Sequence, residues 1–114
     1  MGSEMCIRDS FNAHNDFFDT DHYNFLLTGN RLATVLVYLS NVQSGGHTVF
    51  PKLDISAKPR AGSALVWFNL DPRNGEPLND TLHAACPVNI GQKWIINKWI
   101  RTHNKKNQSS PITQ

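Results

Sequence analysis

His14 and Asp16 are the first side chains in the sequence whose types and spacing suit metal binding. In an extended strand, residues i and i+2 point to the same side, so this imidazole and this carboxylate can face one point. Two histidines and one carboxylate form the facial site that holds non-haem Fe(II) with open coordination positions. The H-x-D pattern also occurs by chance, and a polar surface strand is the alternative interpretation of this pair alone.

A third metal ligand has to come from a distant part of the chain. The further histidines are His22, His47, His83 and His103. His103 lies in a polar tail, His22 among loop residues, and His47 directly after two glycines. His83 lies within a short apolar segment, where a buried imidazole needs a partner because an unsatisfied polar group costs about 1–3 kcal/mol. We expect His83 to be the third ligand, and a hydrogen-bonded core histidine is the alternative.

Lys93 begins a predicted final strand and shares one face of it with Ile95, Asn97 and Trp99. A lysine on the inner face of a barrel strand is costly unless it pairs with an anion. That anion is either a protein carboxylate or the carboxylate of a bound ligand. Next to iron ligands, we expect an organic diacid that binds the metal through one end and Lys93 through the other.

Short segments rich in β-branched and apolar residues are the elements that must position these side chains. The predicted strands are residues 31–39, 48–50, 55–58, 63–70, 81–85 and 93–101, and residues 11–18 are predicted to be extended. Residues 44–46 and 89–91 are predicted turns because they contain glycine. No long helical pattern is present, so we predict an all-β sandwich or barrel.

Length and charge limit the class of protein further. The 114 residues allow one small domain, and the net charge of +2 is too balanced for a protein that binds nucleic acid electrostatically. No apolar run approaches the roughly 18 residues of a transmembrane helix. We therefore expect neither a nucleic-acid partner nor a membrane span.

The chain resembles the catalytic domain of prolyl 4-hydroxylases, most closely the collagen-type alpha subunits of animals. Six segments within residues 11–100 carry this resemblance in the order of the family. They are HNDFF (14–18), GNRLATVLVYLSNV (29–42), GGHTVFP (45–51), SALVWFNL (63–70), TLHAACPV (81–88) and GQKWIINKWI (91–100). Six motifs in order make a chance similarity very improbable.

The resemblance implies a double-stranded β-helix, or jelly roll, with Fe(II) held by His14, Asp16 and His83. It also implies that 2-oxoglutarate binds the iron, with its far carboxylate on Lys93 and a hydrogen bond from Thr48. The implied reaction is the hydroxylation of peptidyl proline to 4-hydroxyproline in procollagen-like chains. Ascorbate would then rescue iron that is oxidised in uncoupled turnover.

The resemblance further places Arg31 and Trp99 near the peptide substrate or the mouth of the site. A solvated charge at the end of a strand and a core aromatic are the alternative interpretations of these two residues. The implied partners are a Pro-rich or collagen-like peptide and a subunit of the protein disulfide-isomerase type. The implied location is the lumen of the endoplasmic reticulum.

Three parts of the chain are expected to differ in character. Residues 1–10 contain MCIRDS, which resembles the translation of a sequencing-adapter end, and we expect a non-native leader there. Residues 11–101 are expected to form a partial dioxygenase domain, N-terminally truncated because the family's strand before H-x-D, with its tyrosine, is missing. Such a domain is expected to be marginally stable. Residues 102–114 are polar and expected to be a disordered tail.

Two residues depart from the collagen-type pattern. Arg101 stands where these enzymes usually carry a histidine that assists 2-oxoglutarate handling. Cys86 usually has a partner near the C-terminus, and the tail has no cysteine, so we expect Cys86 to be unpaired.

The intact set of ligands and Lys93 favour an active prolyl 4-hydroxylase domain. The alternatives are a related hydroxylase that acts on another peptide, and a non-catalytic jelly-roll fragment or pseudoenzyme.

Overall fold

The structure, a computed structural model, describes residues 13–19 and 29–102. Its elements are one short 3-10 turn (Asn79–Thr81) and eight strands: β1 (Arg31–Tyr38), β2 (Ser44–Gly45), β3 (Thr48–Phe50), β4 (Ile55–Ala57), β5 (Ala64–Phe68), β6 (Ala84–Ala85), β7 (Val88–Ile90) and β8 (Ile95–Arg101). The all-β prediction is therefore confirmed. Within the described residues, no helix is long and apolar enough to cross a membrane.

The largest sheet has the antiparallel order β5-β1-β8 and presents one row of large side chains to the interior. Thr34 of β1 lies opposite Trp67 of β5 on one side and opposite Trp99 of β8 on the other. Directly opposite residues of paired strands point to the same side of a sheet. Because Thr34 is buried, with 1% of its surface exposed, this row lies on the inner face.

The remaining strands form a second layer that packs against this inner face. It contains the antiparallel sheets β4-β3-β6 and β2-β7. The ring of Phe50 in β3 meets the ring of Trp67 edge to face, with centroids 4.9 Å apart. The hydroxyls of Tyr38 in β1 and Thr48 in β3 lie 2.7 Å apart and are buried. Both contacts join the two layers across the interior.

The segment 13–19 crosses from one layer to the other. His14 and His83 form an isolated antiparallel bridge, in which each backbone N–H donates to the other residue's carbonyl, at 2.8 and 3.0 Å. Four residues after His14, the backbone of Phe18 pairs with the side-chain amide of Asn30. Its N–H donates to Asn30 Oδ1 at 2.6 Å, and its carbonyl oxygen accepts from Asn30 Nδ2 at 3.0 Å. These backbone contacts fix the position of the segment between them.

Several element boundaries differ from those predicted. The last strand begins at Ile95, so Lys93 precedes it, and a 3-10 turn replaces the start of the predicted strand at 81–85. Residues 44–45 and 88–90, predicted as turns or left as loops, pair as β2 and β7. Glycine permits this pairing, because a Cβ on Gly45 would lie 2.4 Å from the Pro87 carbonyl oxygen.

Cys86 corrects one prediction. It is buried beside Val49 and Ala84 and forms a disulfide, so the expectation that it is unpaired is wrong. The expectation rested only on the absence of a cysteine from the C-terminal tail. The predicted leader at 1–10 and the tail beyond Thr102 also lie outside the described residues, and their predictions stay predictions.

Candidate metal centre

Three of the residues singled out from the sequence meet at one point. The bridge between His14 and His83 sets their imidazole rings side by side, with centroids 4.5 Å apart. Asp16 follows two residues after His14, and its carboxylate lies between the two rings. One candidate ligand atom from each of the three residues lies within 4.8 Å of the others. His47 is not in this cluster, and His22 and His103 lie outside the described residues.

The two oxygens of Asp16 face different partners. Oδ1 lies 3.5 Å from Nε2 of His14 and 3.5 Å from Nε2 of His83. Oδ2 accepts a hydrogen bond from the Thr34 hydroxyl at 2.7 Å and a longer one from the Trp99 indole N–H at 3.4 Å. The carboxylate is buried, with 6% of the residue exposed. Its orientation is therefore set by the inner face of the largest sheet.

Backbone contacts select the tautomer of His83. Its Nδ1 lies 2.8 Å from the carbonyl oxygen of Thr81, which can only accept, so Nδ1 carries the proton. In the neutral ring, Nε2 then has a free lone pair that points toward Asp16. A histidine that ligates a metal typically donates its other ring N–H to such a carbonyl.

Burial and pairing together set the pKa values in the cluster. Burial raises the pKa of Asp16, but the contacts with His83 and Thr34 outweigh it and lower the pKa to about 2. Burial lowers the pKa of His83, but the contacts with Asp16 and the Thr81 carbonyl outweigh it and leave the pKa above its ordinary value. Without a metal, the cluster is thus an ionised carboxylate that attracts a proton to His83.

The cluster fits a divalent metal ion. Two ligand atoms that each lie about 2.1 Å from the same ion, with a right angle between the two bonds, are about 3 Å apart. The distances from Asp16 Oδ1 to the Nε2 atoms of the two histidines, both 3.5 Å, are close to this value. Two imidazole nitrogens and one carboxylate oxygen are also the donor set of non-haem Fe(II) centres with open positions. The donor atoms, their spacing and the tautomer of His83 all agree with such an ion.

Lys93 is half-buried and has no carboxylate within ion-pair distance among the described residues. Burial lowers the pKa of its ammonium group. Its side chain lies beside Gly46, where an added Cβ would be 3.5 Å from Lys93 Cδ. Residues 95, 97 and 99 oppose buried residues of β1, which agrees with the predicted inner face. A partly buried cation of this kind is suited to an anionic ligand.

Thr48, predicted to contact the same ligand, is buried with its hydroxyl against Tyr38. Tyr38 was not predicted from the sequence, because a tyrosine in an apolar strand is typical of a core residue. Four further residues at the site were not predicted either: Asn30, Thr34, Trp67 and Asn69. The polar Thr34 within the otherwise apolar segment RLATVLVY was the one signal available for this group.

Trp99 contacts Asp16, and Arg31 stacks on Trp99. The guanidinium of Arg31 is placed between two rings, 3.8 Å from the centroid of Trp99 and 4.5 Å from that of Phe18. Burial lowers the pKa of Arg31, as does the charge of Arg101, while Asp16 opposes them. Arg31 is therefore a stacked, partly buried charge, and Trp99 both stacks on it and donates to Asp16.

Residues 3–101 match the family model of the 2OG-Fe(II) oxygenase superfamily. The chain belongs to this superfamily, which implies Fe(II) and 2-oxoglutarate as cofactors.

Within that class, the chain is similar to prolyl 4-hydroxylases. It is 44% identical over 99 residues to prolyl 4-hydroxylase subunit alpha-1 of Gallus gallus, an alignment that covers 84% of this chain and 19% of that protein. It is 47% identical over 79 residues to subunit alpha-3 of Homo sapiens, covering 69% of this chain and 14% of that protein. The chain thus spans less than a fifth of the length of these relatives.

A solved structure shows the same fold. The viral collagen prolyl hydroxylase from Paramecium Bursaria Chlorella virus-1, in its 2OG complex, superposes with a TM-score of 0.71 at 36% sequence identity. The match covers 82% of this chain and 52% of that one. The jelly-roll prediction and the resemblance to prolyl 4-hydroxylases are confirmed by these comparisons.

Proposed function

We propose that the chain is the metal-binding part of a prolyl 4-hydroxylase that converts peptidyl proline to 4-hydroxyproline in procollagen-like chains. The observation that carries this proposal is the convergence of His14, Asp16 and His83. The half-buried Lys93 without an acidic partner supports the 2-oxoglutarate requirement. Similarity to the alpha subunits supports proline as the target.

In this proposal, His14, Asp16 and His83 hold Fe(II), and Lys93 pairs with the far carboxylate of 2-oxoglutarate, assisted by Thr48. When bound, iron and 2-oxoglutarate supply the oxidation, in which O2 is consumed and 2-oxoglutarate becomes succinate and CO2. Phe50 and Trp67 pack against His83, and Trp99 packs against Asp16, so these two residues of the cluster are shielded from water while His14 stays exposed. In the same proposal, Arg31 and Trp99 contact the peptide, which is supported by the stacking of Arg31 on Trp99 and by the hydrogen bond from Trp99 to Asp16.

The test is Fe(II)- and 2-oxoglutarate-dependent succinate formation with a Pro-rich, collagen-like peptide, together with mass detection of peptide hydroxylation. His83→Ala is expected to abolish both because it removes a metal ligand. His47→Ala, a matched histidine outside the cluster, is expected to retain both. Equal activity in His83→Ala and the unaltered protein would refute the assignment.

The same assay separates the alternatives. Hydroxylation of a different peptide, with the collagen-like one untouched, indicates a related hydroxylase. Metal binding without any turnover indicates a non-catalytic jelly roll. Lys93→Met is expected to raise the 2-oxoglutarate concentration for half-maximal turnover about 10–100-fold, because a hydrogen bond to a charged group contributes roughly 1.5–3 kcal/mol.

The remaining features are proposed on similarity to the alpha subunits. They are the use of ascorbate, a partner subunit of the protein disulfide-isomerase type, and location in the lumen of the endoplasmic reticulum. Loss of sustained turnover without ascorbate, and co-purification with a disulfide isomerase, are the corresponding tests.

A further inference from the structure

Two buried polar side chains continue the hydrogen bonding of Asp16 away from the cluster. The Thr34 hydroxyl oxygen lies 2.7 Å from Asp16 Oδ2, and Asn69 Nδ2 lies 2.8 Å from that hydroxyl oxygen. Thr34 and Asn69 are 1% and 0% exposed. Water therefore does not compete for these hydrogen bonds, which are correspondingly strong in the interior.

The chemistry of the three groups fixes the direction of both hydrogen bonds. An ionised carboxylate only accepts, so the single hydroxyl proton of Thr34 points to Asp16. The hydroxyl oxygen is then the acceptor for Asn69, whose NH2 group must face it. Because Oδ2 is occupied in this way, Oδ1 is the carboxylate oxygen that faces the two histidines.

The side chain of Asn69 is costly for stability. Its Oδ1 is buried without a hydrogen-bond partner among the described residues, which costs about 1–3 kcal/mol. The backbone of Asn69 bonds to Leu32 and Leu78, and those bonds need no asparagine side chain. The contact between Nδ2 and Thr34 is therefore the feature that accounts for an asparagine at this position.

We propose that Thr34 and Asn69 are positioning residues that hold Asp16 as a metal ligand through one oxygen. The proposal rests on the proposed function, because it takes the cluster to be a metal centre. Thr34 restrains Oδ2, and Asn69 restrains the Thr34 hydroxyl, while neither touches the ion. Without this pair, the carboxylate can rotate and bind through both oxygens or turn away. Loss of such supporting partners typically weakens metal binding about 10–100-fold.

Binding of Co²⁺ alone to the 114-residue chain, followed by visible absorption, tests the proposal without any turnover. Thr34→Val keeps the side-chain shape and removes the hydroxyl. It is expected to weaken Co²⁺ binding about 10–100-fold and to change the absorption spectrum. Thr34→Ser is expected to restore both. Ser63→Ala, which removes a hydroxyl that donates to the Arg60 carbonyl outside the cluster, is expected to leave Co²⁺ binding unchanged.

Asn69→Ala tests the second contact. It is expected to weaken Co²⁺ binding in the unaltered protein but to have no further effect in Thr34→Val, because it acts through Thr34. Thermal unfolding of each metal-free variant is measured in parallel. If Thr34→Val does not fold, the pair Thr34→Ser and Asn69→Ala carries the test.

If Thr34→Val folds and binds Co²⁺ with unchanged affinity and spectrum, the proposal is overturned and the metal centre is not. If Thr34→Val does not fold, the same result in Asn69→Ala leads to the same conclusion. Failure of the unaltered chain to bind Co²⁺ overturns both this proposal and the proposed function.

Discussion

Asp16 performs two tasks with its two oxygens. Oδ1 faces both histidine Nε2 atoms, and Oδ2 is held by Thr34 and Trp99 from the largest sheet. Types and spacing in the sequence were enough to single out His14, Asp16 and His83. They could not show which oxygen faces inward, because that depends on residues from two distant strands. The geometry therefore adds an orientation to a set of residues that the sequence already indicated.

At the scale of single residues, we predict that Asp16 controls the pKa of the His83 imidazole. Its pKa is raised above 6.5 in the metal-free protein, because contact with Asp16 outweighs the effect of burial. A raised folded-state pKa adds stability that is fully present below the unfolded value of 6.5 and is lost as the pH rises through the folded value. Metal binding needs the free Nε2 lone pair, so metal affinity rises over the same interval.

NMR titration of the His83 imidazole in the metal-free protein measures this pKa directly. In Asp16→Asn the midpoint is expected to be lower than in the unaltered protein, because burial is then opposed only by the contact with the Thr81 carbonyl. An identical midpoint in Asp16→Asn and the unaltered protein would contradict the assigned cause.

At the scale of elements, most strands could be predicted from composition and some could not. Strand β3 matches its predicted bounds, and β1 and β5 differ by one or two residues. Strand β2 was missed because its two residues, Ser44 and Gly45, have low strand propensity. Strand β7 was missed because Asn89 and Gly91 favour a turn, although Val88 and Ile90 are β-branched. The 3-10 turn before His83 was missed because a local apolar pattern does not reveal the Thr81 contact with the ring of His83.

At the scale of elements, we predict that replacing Gly45 by alanine destabilises the fold. Gly45 has a φ of +85°, and an added Cβ would lie 2.4 Å from the Pro87 carbonyl oxygen and 2.8 Å from Asn89 N. Gly62 has a similar φ of +87° with nothing within 4 Å of an added Cβ, and serves as the matched control. Gly62→Ala is expected to cost about 1–2 kcal/mol from backbone strain alone.

Gly45→Ala adds a steric clash to the same strain, so its cost is expected to be larger by about 1–3 kcal/mol. Chemical unfolding of both variants provides the comparison. Equal losses in the two variants would show that the close approach of β2 and β7 does not constrain the fold.

The whole molecule presents an apolar outer face on the sheet β5-β1-β8. Val66 and Phe68 of β5 are 66% and 45% exposed, and Ile96 and Ile100 of β8 are 53% and 44% exposed. The register places them on the side of the sheet opposite Thr34, with Val35 between them. Lys98, opposite Val35 on β8, interrupts this face. An exposed apolar face of this kind still favours association.

We expect the isolated chain to associate as its concentration rises. Val66→Thr combined with Ile96→Thr is expected to reduce this association while keeping metal affinity, because both residues lie on the outer face. Leu53→Thr combined with Ile55→Thr, at exposed apolar positions elsewhere, is the control expected to have no effect. Light scattering over a concentration series measures the association, and a monomer at all concentrations would contradict the prediction.

The marginal stability expected from the sequence is a separate prediction for the whole molecule. A broad thermal transition would agree with it, and a sharp cooperative transition above about 50 °C would not.

The backbone bridge between His14 and His83 has a consequence for how the protein is made. His14 precedes every strand named here, and His83 follows five of them. During synthesis, His14 and Asp16 therefore leave the ribosome long before His83, and Trp99 follows later still. Closing so long a loop carries an entropy cost that increases with its length. Under the proposed function, we expect iron loading to await nearly the whole domain, since a nascent chain offers only His14 and Asp16.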